Sequence, residues 1–224
     1  MSHSVEPYRP DSLLLQWHIT ERCNLRCTHC YQKDYGGTEL GFQELMGVLE
    51  QFERLLSTWR CRAHKPVRGH ITVTGGEPFV RPDCLELLEV LAAHRDSFGF
   101  AVLTNGSFID AKMARHLRHL GPTFVQLSVE GSQATNDGIR GPGSFEQTAA
   151  AARFLTGAGI RTYISFTAHR ANFCEFPQVA LLGRQLRVER VWSDRFIPLG
   201  SGARDMVLTP DETRRFFQSV RQAR

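Results

Sequence analysis

Thr20-Glu21-Arg22-Cys23-Asn24-Leu25-Arg26-Cys27-Thr28-His29-Cys30-Tyr31 is the stretch that decides how the chain is read. It follows Leu-Leu-Leu-Gln-Trp-His-Ile-Thr (13–20), which reads as a strand opening on apolar leucines. The cysteines therefore lie in the loop after the first strand. Three thiolates at i, i+4 and i+7 can converge on one point, and thiolates suit iron–sulfur clusters, zinc or Cu(I). Three ligands on a four-iron cube leave one iron open to a substrate or cofactor, which a closed four-cysteine site does not. Two other readings use the same residues. Cys27 and Cys30 form a C-x-x-C, the spacing of a thioredoxin-like redox pair. Cys23, Cys27, Cys30 and His29 make a four-ligand set for zinc, although the adjacency of His29 and Cys30 makes joint ligation awkward.

Outward from this loop the pattern alternates. Strands are expected over 70–74, 99–104, 123–129, 161–168 and 188–197, and helices over 42–58, 83–95, 110–119, 144–157 and 175–187. The helix over 42–58 shows the spacing most clearly, with Phe42, Leu45, Met46, Leu49, Phe52, Leu55 and Leu56 on one face. A last helix starts near Thr209, where Thr-Pro-Asp-Glu supplies an N-cap, a proline at the first helical position and a glutamate three residues after the cap. Six βα units with short connections and right-handed crossovers require a parallel sheet. An open partial barrel and a doubly wound sheet both satisfy this pattern. In either, chemistry belongs at the C-terminal ends of the strands. The polar and glycine-rich stretches fall there, at 20–31, 75–78, 104–106, 128–131 and 197–202.

Composition sets the outer bounds. The 224 residues include 27 Lys+Arg and 23 Asp+Glu, so the net charge is 27 − 23 = +4. That charge is too diffuse to argue for nucleic acid. Apolar residues at 42% with 19 Gly and 10 Pro are ordinary for a globular domain. No apolar run of about 18 residues suggests a membrane span. The N-terminal stretch has no signal-peptide pattern, so the cytoplasm is the default expectation. Cys61, Cys84 and Cys174 stand alone and are expected to behave as small buried apolar residues. His18 and the arginine-rich last helix are expected at the surface.

The motifs together resemble those of the radical S-adenosylmethionine (SAM) enzymes. C-x-x-x-C-x-x-C followed by an aromatic lies after the first strand. Gly75-Gly76-Glu77-Pro78 ends the second, Thr104-Asn105-Gly106 the third and Ser128-Val129-Glu130-Gly131 the fourth. Many members of the family read Ser-Leu-Asp-Gly at the last of these, so Glu130 departs from the pattern by one methylene. Ile139-Arg140-Gly141, Gly143-Ser144-Phe145 and Arg195–Gly200 resemble the peptide- and protein-modifying branch that carries SPASM or twitch extensions. The resemblance covers about residues 13–220.

It implies an α/β radical SAM core, a partial (β/α)6 TIM-like barrel over residues 13–224 behind a tail over 1–12. It implies a [4Fe-4S] cluster on Cys23, Cys27 and Cys30, with SAM on the open iron. Reductive cleavage of SAM then gives a 5′-deoxyadenosyl radical that takes hydrogen from a substrate. The SAM-binding residues it implies are Tyr31 near the adenine, Gly75 and Gly76 close to the methionine part, Glu77 as acceptor for its ammonium, and Pro78 fixing the turn. Thr104, Asn105 and Ser128 would serve the ribose or carboxylate, and Arg140 the carboxylate. Ile197, with Leu199, would line the adenine. The substrate implied is a peptide or protein, as in ribosomal-peptide maturation, with a flavodoxin or ferredoxin as reductant and no membrane or nucleic-acid partner. Two alternatives remain: a radical SAM enzyme of haem or pterin cofactor synthesis, and a non-enzymic zinc module. Cys61, Cys84 and Cys174 lack the spacing of an auxiliary-cluster extension. The expectation is of a compact one-cluster member or, preferred, a piece of a longer chain.

Overall fold

The computed structural model describes residues 11–63 and 66–223. The tail expected over 1–12 falls outside the described residues except for Asp11 and Ser12. Six strands appear in chain order: β1 (Ser12–His18), β2 (Arg68–Thr74), β3 (Phe98–Thr104), β4 (Val125–Ser128), β5 (Thr162–Ala168) and β6 (Arg190–Arg195). The helices are α1 (Phe42–Ala63), α2 (Cys84–Ala93), α3 (Ala111–Leu120), α4 (Gln133–Arg140), α5 (Ser144–Gly157), α6 (Phe176–Gln185) and α7 (Pro210–Gln222).

All neighbouring strands pair in parallel, in the order β1-β2-β3-β4-β5-β6. That order decides between the two architectures left open by the sequence. A doubly wound sheet reverses its direction of growth at a switch point. Here each strand is added beside the last, so right-handed crossovers put every helix on the same face. The sheet curls into a half-barrel with the helices outside.

Period-two alternation sorts the side chains between the faces. Trp17, Val73, Val102 and Val125 are in register across β1–β4 and buried against the helices. Leu127 and Ile164 continue that layer. The concave face is polar: Gln126, Tyr163 and Arg190 are in register, as are Ser128, Ser165 and Trp192. Trp192 Nε1 donates to Gln126 Oε1 at 2.9 Å, reaching over β5 on that face. Burial of the outer apolar layer supplies the main stabilisation.

The expected elements are found with two differences. Helix α1 runs five residues further than the expected 42–58. Helix α4 has no counterpart in the expectation, because eight residues rich in Gly, Asn and Asp carry little helical signal. Its N-cap is Ser132, and Asn136 and Asp137 bond to residues outside the helix. Helix α7 carries the expected capping box, with Thr209 and Glu212 bonding reciprocally. Among the described residues no helix is long and apolar enough to cross a membrane.

Candidate active site

The cysteine loop is zipped onto the end of β2. The backbone N–H of Ile19 donates to Thr74 O at 3.0 Å, that of Gly76 to Thr20 O at 2.8 Å, and that of Glu77 to Arg22 O at 2.8 Å. This contact accounts for the paired glycines. Gly75 has φ +142°, and a Cβ there would collide with the carbonyl of Thr20. A Cβ on Gly76 would collide with the carbonyl of Arg22. Both residues line the cavity described below, but what their missing side chains admit is the cysteine loop. The buried Arg81 clamps the base of the loop, with Nη1 on Ile19 O at 3.0 Å, Nη2 on Leu40 O at 2.7 Å and a bidentate pair to Asp83.

A cavity of about 360 Å³ opens above the C-terminal ends of the strands, the size range of small-molecule sites. Cys23, Cys27 and Cys30 all line it, half-buried and unpaired. Among the described residues no three His, Cys, Asp or Glu side chains converge as the ligands of one ion do. Three thiols opening onto one cavity fit an iron–sulfur cluster, which takes each thiolate on a separate iron. The backbone N–H of Leu25 donates to Cys23 Sγ and that of Gln32 to Cys30 Sγ, each at 3.4 Å, the kind of bond that stabilises cluster thiolates. Burial pushes the Cys23 and Cys27 thiols up, and the nearby positive charge of Arg140 opposes that rise.

Glu77 and Pro78 lie behind the cavity wall, not on it. The Glu77 carboxylate is fully buried. Its Oε1 accepts from Thr104 Oγ1 at 2.8 Å and Phe79 N at 3.2 Å, and its Oε2 from Asn105 N at 2.7 Å. Burial raises its pKa, and the three donors act against that rise. Glu77 is thus placed as a brace between the ends of β2 and β3, with its oxygens already engaged. Thr104 and Asn105 line the cavity. The Asn105 side chain is occupied: Nδ2 donates to Asn24 Oδ1 at 2.9 Å and Oδ1 accepts from Ser107 N at 2.9 Å. Asn105 therefore ties the cysteine loop to β3.

Four other expected residues line the cavity. Among the described residues the Ser128 hydroxyl has a single contact, accepting from Ser165 Oγ at 3.4 Å. Ile197 and Leu199 form an exposed apolar rim. Tyr31 also lines the cavity, its hydroxyl donating to Gly75 O at 2.8 Å, with His18 Nδ1 at 3.2 Å. Past the rim, Gly200 (φ +66°) presses on the Cys30–Tyr31 backbone so closely that a Cβ would collide with it. The N–H of Ser201 donates to Cys30 O at 2.8 Å. The segment after β6 therefore clasps the cysteine loop.

Arg140 is buried at the cavity wall. Its Nη1 donates to Glu130 Oε1 at 3.0 Å, while its buried Nε has no hydrogen-bond partner among the described residues. The edge of the guanidinium that includes Nε is unspent and suits a planar carboxylate. Burial alone would raise Glu130. The bond and charge of His29, the charge of Arg140 and the Thr167 N–H outweigh it and hold the carboxyl at about 2. His29 Nε2 lies 3.4 Å from Glu130 Oε1, and His29 Nδ1 is buried without a partner among the described residues. His169 lies beside it, the ring centroids 5.7 Å apart. Burial, reinforced by the His29 charge, pushes His169 down to about 4.

Sequence reading passed over His29 except as a zinc ligand, and passed over His169, Arg81 and the clasp at Gly200. His29 carried a usable signal, a histidine between two clustered cysteines. For the others the contacts that tie them to the site join segments distant in sequence: Arg81 to Ile19 and Leu40, His169 to His29, and Gly200 to the Cys30–Tyr31 backbone. Of the lone cysteines only Cys84 is buried, its thiol pushed up to about 12 by burial; Cys61 and Cys174 are exposed, contrary to expectation. Cys61 ends an amphipathic helix on its solvent side, and Cys174 lies in a surface turn. His18 and the arginines of α7 are exposed, as expected.

The half-barrel, the three-cysteine loop and the cavity at the strand ends define a protein of the SAM-radical class. Residues 17–182 match the model of the Radical SAM superfamily, and the chain belongs to that family. Its members are enzymes, and their cofactors are a [4Fe-4S] cluster and SAM. The chain is 32% identical over 201 residues to the mycofactocin maturase MftC of Mycobacterium tuberculosis, covering 81% of this chain and 48% of that protein. It is 28% identical over 207 residues to the Fe-coproporphyrin III synthase of Methanosarcina barkeri, covering 91% of this chain and 49% of that protein. The chain thus spans about half the length of these curated relatives. The fold is shared with native anSMEcpe bound to AdoMet, at TM-score 0.74, 21% identity and coverage of 94% of this chain and 59% of that one. It is shared also with Streptococcus suis SuiB bound to S-adenosylmethionine, at TM-score 0.73, 15% identity and coverage of 95% and 47%.

Proposed function

We propose that residues 13–224 form the radical SAM core of an enzyme that modifies a peptide or protein, as ribosomal-peptide maturases do. The observation that carries this reading is the opening of three half-buried thiols onto one cavity at the strand ends, beside an unspent arginine edge. Cys23, Cys27 and Cys30 hold the cluster, and each gives up its thiol proton to do so. Bound there, a [4Fe-4S] cluster would supply the one electron for reductive cleavage of SAM to methionine and a 5′-deoxyadenosyl radical.

The other steps belong to the chain itself. Arg140 offers its Nε edge to the SAM carboxylate, and Ser128 offers its hydroxyl to the same molecule. Gly75 and Gly76 present backbone to the methionine part. Ile197 and Leu199 cover the adenine on one side and Tyr31 on the other, which keeps water from the reacting carbon. Glu77 and Pro78 act from behind, with Thr104 bonded to Glu77 at the cavity wall, fixing Asn105 and through it the cysteine loop. A flavodoxin or ferredoxin serves as reductant.

The peptide reading draws on likeness to MftC and to SuiB, one structure of which is bound to its precursor peptide SuiA. A second reading, synthesis of a haem-type cofactor, is favoured by likeness to Fe-coproporphyrin III synthase and to the AdoMet-dependent heme synthase of Oleidesulfovibrio alaskensis. One experiment separates them. The reconstituted, reduced protein is given SAM with candidate precursor peptides or with Fe-coproporphyrin III, and 5′-deoxyadenosine and substrate mass are followed. A mass change in a peptide alone supports the first reading. A change in the porphyrin alone replaces it with the second.

A further inference from the structure

Glu130 stands where three parts of the site meet. Its side chain is completely buried, and its backbone is pinned on both sides: its N–H donates to Asn136 Oδ1 at 2.9 Å and its carbonyl accepts from Asn172 Nδ2 at 3.0 Å. The carboxylate cannot drift from this anchor. Its Oε2 accepts from Thr167 N at 2.9 Å, which ties it to β5. Its Oε1 serves two partners, Arg140 Nη1 at 3.0 Å and His29 Nε2 at 3.4 Å. His29 lies between Cys27 and Cys30, so one oxygen joins the cysteine loop to the arginine at the end of α4. The same two segments meet again where Thr28 N donates to Ile139 O at 2.9 Å.

We propose that Glu130 is a positioning residue: from one carboxylate oxygen it registers the cysteine loop, through His29, against Arg140, and so sets the charge felt by the thiolates and the direction of the free Arg140 edge. The length of the side chain matters to this task. Aspartate on the same pinned backbone would withdraw the carboxylate by about 1.5 Å, one C–C bond, and so could not keep all three partners. The charge matters as well. It offsets the buried Arg140, which otherwise would act unopposed on the cluster, and cluster potential follows local net charge. The inference rests on the reading that the three cysteines hold the cluster.

Two measurements test it. In the metal-free chain under anaerobic conditions, double-mutant cycles on the urea midpoint pair E130Q with H29F and E130Q with R140K. Each pair is expected to be non-additive, since the partners share one oxygen. In the reconstituted protein, a redox titration followed by EPR is expected to give E130Q a higher midpoint potential than wild type. E130D, which keeps the charge, is expected to return towards the wild-type value. Additive cycles overturn the proposal, as does an E130Q potential equal to that of wild type in protein that holds its cluster. If wild type takes up no cluster, the functional reading fails, while the metal-free cycles still decide the role of Glu130.

Discussion

The carboxylate of Glu77 accepts the backbone N–H of Asn105 at 2.7 Å, with both residues buried. Through that bond the end of β2 fixes the end of β3, and Asn105 in turn holds Asn24 in the cysteine loop. In E77Q the amide would present N–H to one of three donors that now find an oxygen. A buried donor left without an acceptor costs about 1–3 kcal/mol. E77Q is expected to lower the urea midpoint of the metal-free chain clearly, and E77A more. A midpoint within error of wild type would show that the brace is dispensable.

Gly200 is expected to be as demanding. Its φ of +66° disfavours an L side chain, and a Cβ would strike the Cys30–Tyr31 backbone. G200A should open the clasp on the cysteine loop and reduce iron uptake on reconstitution. Iron per chain, measured against wild type, checks this. G36A serves as control, because Gly36 has open space where a Cβ would go.

The cysteines divide into two groups. Replacing Cys23, Cys27 or Cys30 by alanine is expected to abolish the cluster, leaving iron near zero and the brown absorbance absent. C61S and C174S, on exposed residues, should keep full iron. C84A should keep iron too but lose stability, by about 1–2 kcal/mol, since it empties a buried site. Iron analysis and urea unfolding on the six variants distinguish the groups.

Much of the fold was legible because strands and helices of α/β proteins announce themselves by period, and the glycine-rich ends of strands mark where they stop. Helix α4 was not, being short and held by side-chain bonds from Asn136 and Asp137 to residues outside it. Sequence also placed the cysteines, Arg140, Ser128 and Ile197 in one region, and the structure brings them to one cavity. It did not show that Gly75 and Gly76 pack against the cysteine loop, or that Glu77 and Asn105 bond to other protein groups. Motif spacing shows which residues gather, whereas a clash with Thr20 or a bond to Asn24 depends on how distant segments lie together. Glu130 illustrates the same limit: its extra methylene was visible, its partners His29, Arg140 and Thr167 were not.

Glu130 also gives a pH signature. Its carboxyl is held at about 2, below the ordinary 4.5, despite burial. The groups around it are His29 from the cysteine loop, Arg140 from α4, and His169 after β5. A depressed carboxyl contributes stability that is present above the unfolded value and lost as pH falls from about 4.5 towards 2. Glu77, raised by burial, acts with the opposite sign. The difference between wild type and E130Q isolates the Glu130 share. The urea midpoints of the two metal-free chains should differ most above pH 5 and converge below it. Parallel curves from pH 6 to pH 3 would mean that Glu130 is not held charged by its neighbours.

The most direct test of the central claim is an EPR spectrum of the anaerobically reconstituted, reduced protein with and without SAM. A reduced-cluster signal that changes when SAM is added, and that is lost in a C27A variant, is the predicted result. A cluster signal indifferent to SAM, or a chain that takes up zinc and no iron, would contradict it.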